Sequence, residues 1–80
     1  AAETPAAGTT RAFLTRGREL QADIAGLMDA MQETVTQTPD NQTRLLFLAG
    51  AMKQKLFEGW ALSISACDTL KEYNAGGNKP

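Results

Sequence analysis

The hexapeptide Thr36-Gln37-Thr38-Pro39-Asp40-Asn41 is the break between two long stretches of helical periodicity. The residue before a proline disfavours the helical region of backbone space, so the first helix should end near Gln37. Thr38 then suits the N-cap of a second helix, with Pro39 at its first position and Asp40 adding negative charge to its first turn. A stop and a restart within six residues leave room only for a short connection. Short helix–helix connections favour antiparallel neighbours. The sequence therefore predicts an all-α antiparallel two-helix hairpin, with helices over about 11–36 and 39–73.

The first of these helices shows apolar or small residues at Phe13, Gly17, Leu20, Ile24, Leu27 and Met31. The alternating steps of four and three are the spacing of helices packed side by side. Leu14 and Met28 widen the stripe on one flank, while Arg11, Arg18, Asp29 and Glu33 mark the solvated face. Thr9 or Thr10 is the expected N-cap. Gly17 sits on the stripe, where a missing side chain lets another backbone come close. The preceding segment 1–10, "AAETPAAGTT", has no periodicity and is expected to be a flexible arm.

The second helix carries the same alternation at Leu45, Ala49, Met52, Leu56, Gly59, Ser63, Ala66 and Leu70, which predicts its contact with the first. Asn74 or Gly76 is the expected left-handed cap, followed by a flexible tail over 74–80. A fold about residue 38 sets position i opposite roughly 76 − i, which would pair Asp23 with Lys53 and Glu33 with Arg44. The second helix would outrun the first by about two turns and project or meet the N-terminal arm. The whole chain is read as one domain: arm 1–10, hairpin 11–73, tail 74–80.

This second helix has more apolar residues than one stripe requires. "LLFLAGAM" (45–52) has no polar side chain in eight residues, and a further set follows at Phe57, Trp60, Ala61 and Ile64. A helix that is apolar all round is normally buried on all sides, and a chain of 80 residues has little core to offer it. Leu46, Phe47, Leu48, Gly50 and Ala51 have no evident cover from within the hairpin. The expected interface is Leu46, Phe47, Leu48, Gly50, Phe57, Trp60, Ala61 and Ile64. The expected partner is another protein, either a second copy or a different helical chain.

Other function classes find less support. There is no histidine and only one cysteine, Cys67, so the commonest general base is missing and no intrachain disulfide can form. No catalytic, cofactor-binding or metal-ligating set emerges, and no enzyme activity, cofactor or small-molecule substrate is expected. Met28, Met31, Met52 and Cys67 are soft donors that suit a cuprous ion, but methionines at stripe positions ordinarily fill core gaps. Eight Lys+Arg against nine Asp+Glu give no strong pull toward nucleic acid. Arg11, Arg16, Arg18, Lys53 and Lys55 have no interleaved aromatics on which bases could stack. The longest apolar run falls far short of the roughly 20 residues of a membrane span. Ala1 is read either as a mature terminus or as a trimmed one.

Taken together, "ELQADIAGLMDAM" (19–31), the turn "TPDN" (38–41) and "NQTRLLFLAGAMKQKLFEGWALSISACDTLKEYN" (41–74) resemble the needle-subunit family of type III secretion systems. In that family helical hairpins stack into a hollow filament, with the second helix making much of the contact between subunits. The resemblance implies a self-assembling structural subunit without catalytic residues. It also favours a secreted, periplasmic or secretion-apparatus-associated location over a cytoplasmic one. A small chaperone-like or regulatory module that binds one helical partner accounts for the same features.

Overall fold

The computed structural model describes residues 2–77. Two helices, α1 (Pro5–Gln37) and α2 (Gln42–Gly77), lie antiparallel as an all-α hairpin measuring 63 × 22 × 11 Å. Among the described residues there are no strands.

α1 begins six residues before the expected Arg11, so most of the expected flexible arm is helix. The cause is the dipeptide Thr4-Pro5. Thr4 is extended (φ −69°, ψ 155°), and its hydroxyl accepts from the Ala7 N–H at 3.1 Å, with Pro5 at the first helical position. Proline suits that position because its missing N–H would have no partner there. Glu3 closes an ion pair onto Arg11 across two turns, and the Thr10 hydroxyl donates to the Ala6 carbonyl at 2.8 Å.

The same dipeptide at Thr38-Pro39 behaves differently. Thr38 closes α1, its N–H donating to the Thr34 carbonyl at 2.8 Å. The Asn41 N–H donates back to the Thr38 carbonyl at 2.9 Å, and the Asn41 side chain accepts from the Arg44 N–H at 3.1 Å. The N-cap of α2 is therefore Asn41 rather than Thr38. Asparagine ranks above threonine at that position, and it lies three residues further on.

This shift moves the register. Asp23 pairs with Lys55 at 3.1 Å, and the Arg44 Nε–H donates to Thr34 Oγ1 at 3.1 Å, so position i lies opposite about 78 − i. The expected pairs of Asp23 with Lys53 and Glu33 with Arg44 are each displaced by a residue or two. α1 and α2 are also nearly equal, at 33 and 36 residues. The end of α2 does not project: Glu72 and Tyr73 border the same depression as Thr4 and Pro5. No left-handed cap forms at Asn74 or Gly76, which stay helical, with no positive φ among the described residues. The rest of the expected tail, 78–80, lies outside the described residues.

The α1 stripe faces α2 as expected, with Phe13, Gly17, Leu20, Ile24, Leu27 and Met31 buried or half-buried. Gly17 permits no close approach, however, since a Cβ there would meet nothing within 4 Å. On α2 the inward seam is rotated from the expected one. It runs through Leu45, Leu48, Met52, Lys55, Gly59, Leu62 and Ala66, while Ala49, Leu56 and Ser63 are exposed. Burying Leu48 and Leu62 removes far more apolar area from water than burying Ala49 and Ser63. Lys55 fits between them because its stem lies along the seam while its ammonium reaches Asp23.

The core is thin. Leu20 (3% exposed) and Leu48 (4%) are its only buried apolar residues among those described. Thr34, nearer the turn, is also buried, with its hydroxyl satisfied, donating to the Ala30 carbonyl at 2.7 Å and accepting from Arg44. A polar group so placed is tolerated only when paired.

Candidate interaction surface

Seen end-on, the hairpin has two edges of contrasting chemistry. Along one, Arg16 bridges Glu19 at 3.0 Å and Glu58 at 3.1 Å, and Lys55 bridges Asp23 at 3.1 Å and Glu58 at 3.8 Å. These pairs are partly exposed and are each worth about 0–1 kcal/mol. With Arg11 held by Glu3, three of the five basic residues singled out in the sequence are spent on carboxylates.

The other edge is open and mostly apolar, with Arg18, Gln21, Gln32 and Lys71 also lining it. Met28, Met31, Val35, Leu45 and Met52 line a depression near the turn. Leu14, Ile24, Leu56, Gly59 and Trp60 line the next, and Phe13, Ala66, Cys67 and Leu70 line a third. The structure thus gathers the three methionines in one place and sets Cys67 in another, so the four soft donors do not converge. Among the described residues, no group of three or more His, Cys, Asp or Glu is placed to hold a metal ion.

The outer face of α2 continues this surface. At about 100° per residue, Leu46, Gly50, Phe57, Trp60, Ala61 and Ile64 fall opposite or nearly opposite Leu48. All six are exposed, Leu46 at 75%, Phe57 at 63% and Trp60 at 60%. The Phe57 and Trp60 rings lie 5.7 Å apart at 40° and form a tilted aromatic pair. Such pairing favours a fixed aromatic surface.

Two of the eight expected interface residues stand apart. Leu48 is a correction: it turns inward, opposite Ala30 in this register, and belongs to the hairpin's own core. Phe47 is exposed at 71% but lies a step round the helix, toward the ion-paired edge. Leu56 is the residue that the sequence reading placed wrongly in the other direction. Expected in the core, it is 55% exposed and joins the open edge. The signal that could have found it is Lys55, whose long stem is compatible with an inward place.

Lys53 sits within the outer face between Gly50 and Phe57, and Asp68 lies beyond Ile64. Among the described residues neither enters an ion pair. No helix among the described residues is long and apolar enough to cross a membrane. No protein family, curated protein or solved structure matches the chain.

Proposed function

We propose that this chain is a non-enzymatic assembly subunit that completes its core by packing helix to helix against other subunits, in a structure of the secretion-needle kind. The observation that carries this reading is the outer face of α2. Leu46, Phe57, Trp60 and Ile64 stand 41–75% exposed, while only two apolar side chains among the described residues are buried. Large apolar side chains gathered in the open on one helix face support an interaction site on a protein in water. A core of two leucines also leaves a chain of this size in need of a staple, and association is one that its residues allow.

A second reading rests on the open edge. Its methionine-lined depression beside Leu45 and Val35 suits a chaperone-like module that receives one amphipathic helix, because thioether side chains repack around varied partners.

Sedimentation velocity from low micromolar to near-millimolar concentration tests the first reading. Mass should rise with concentration, and Leu46→Asp should hold the protein at monomer mass with its helical circular dichroism intact. A parent protein that stays monomeric throughout removes the self-assembling subunit and leaves the one-partner module.

A further inference from the structure

On the outer face of α2 two opposite charges flank a run of apolar side chains. Lys53 precedes Phe57, Trp60, Ala61 and Ile64, and Asp68 follows them. Both charges are exposed and neither is used within the described hairpin. Gly50 lies one turn before Lys53, and a Cβ there would meet nothing within 4 Å. The hairpin itself therefore gives no reason for a glycine at that place, where it weakens the helix by roughly 1 kcal/mol relative to alanine.

The order of these residues selects one occupant and one orientation. Two copies laid parallel through this face would set Lys53 against Lys53 and Asp68 against Asp68. Two copies laid antiparallel about a two-fold axis between Trp60 and Ala61 set i opposite 121 − i. Lys53 then faces Asp68 of the second copy, twice. Phe57 faces Ile64, the two copies of Trp60 lie side by side on one flank at the axis with the two copies of Ala61 on the other, and Lys71 passes over Gly50, where no side chain obstructs it. Lys53 and Asp68 thus both find partners of opposite sign. A two-fold contact uses the same patch on both chains, and this patch is complementary to itself only when reversed.

We infer that the outer face of α2 binds a second copy of this chain antiparallel, with Lys53 of each copy opposite Asp68 of the other. This rests on the proposed role in helix-to-helix assembly and deepens it by naming the first contact made.

The test uses Lys53→Glu and Asp68→Lys, whose sites are exposed and outside the hairpin's own ion pairs, so each variant should keep the parent's helical signal. Each alone places like charges face to face and should weaken the dimer by about tenfold. An equimolar mixture restores opposite signs at both contacts of the mixed dimer. At one contact the introduced glutamate meets the introduced lysine, and at the other the unchanged Asp68 of one chain meets the unchanged Lys53 of its partner. Sedimentation of the mixture should return a dimer within about threefold of the parent's affinity. If the parent dimerises but the mixture stays as weak as the single variants, the antiparallel register is wrong. Association abolished by Leu46→Asp yet indifferent to both charge reversals overturns this contact while leaving the assembly role standing. A parent monomeric at every concentration overturns both.

Discussion

α2 carries two seams at helical spacing. The inner one meets α1 through Leu45, Leu48, Met52, Lys55, Gly59, Leu62 and Ala66. The outer one, through Leu46, Gly50, Phe57, Trp60, Ala61 and Ile64, stays exposed. The inner seam includes a lysine and a glycine and no aromatic ring. The outer seam includes two aromatic rings, two branched aliphatic side chains and two small residues, with Lys53 and Asp68 set among and after them. If burial inside one chain were the only demand on this helix, the aromatics would belong on the inner side, where each would remove the most area from water. Their placement outside is what an assembling subunit requires. The intramolecular seam sets the hairpin's shape, and under the proposed function the larger apolar groups serve contact between chains.

Exchanging an apolar group for a carboxylate should therefore have opposite consequences on the two seams. Leu48→Asp buries a charge in a core of two leucines, and at low concentration it should abolish most of the helical circular dichroism. Even Leu48→Ala should cost about 2 kcal/mol or more. Leu46→Asp and Phe57→Asp, on the far side, should change hairpin stability at dilution by no more than about 0.5 kcal/mol, yet eliminate association. Thermal melts at two concentrations separate these effects. Only the parent's melting temperature should rise with concentration, because association stabilises the folded state by mass action. Equal loss of helix in Leu46→Asp and Leu48→Asp would erase the distinction between the seams.

The hairpin itself was legible because its signals are local and redundant: two runs of alternating four and three, divided by a proline. The rotation of α2 was not. Leu45, Ala49, Met52 and Leu56 form as regular a stripe on paper as Leu45, Leu48, Met52 and Lys55 do in the fold. Only the arrival of α1 chooses between them, through the size of Leu48 and Leu62 and the reach of Lys55 to Asp23. The two Thr-Pro dipeptides show a similar limit. At Thr4-Pro5 the pair starts a helix, as its chemistry allows. At Thr38-Pro39 the same chemistry competes with Asn41, a better cap three residues later, and loses. The apolar excess of α2 was readable from the unbroken run 45–52 and the set that follows it. That Leu48 is withdrawn from it and Leu56 added required the rotation.

That competition sets the next expected effect. Asn41→Ala removes the side-chain acceptor for the Arg44 N–H and should lower hairpin stability by about 1 kcal/mol. Thr38→Ala loses only a long hydroxyl contact of 3.4 Å to the Thr34 carbonyl and should cost less than half as much. Denaturant melts of the two variants rank them directly. A larger loss for Thr38 would return the cap, and with it the start of α2, to the place that the sequence first suggests.

The smallest effect bears on the register. In the hairpin Asp23 faces Lys55, whereas a fold centred one residue earlier would face it with Lys53. The side chains of Asp23 and Lys55 are 47% and 31% exposed, so their coupling should be only about 0.5 kcal/mol. Single variants cannot report it cleanly. Lys55→Asp also forfeits the packing of the lysine stem and the contact with Glu58, and its total loss would exceed the coupling several times over. A double-mutant cycle removes those terms, because they appear in both the single and the double variant and cancel. Asp23→Lys combined with Lys55→Asp should recover about 0.5 kcal/mol over the sum of the singles, and raising the salt concentration should shrink that recovery. The same cycle on Asp23 and Lys53 should give no coupling at dilution, since Lys53 points away from α1. Coupling to Lys53 in place of Lys55 would mean that α2 is rotated and shifted from the arrangement described, and would turn the outer seam's aromatics toward α1.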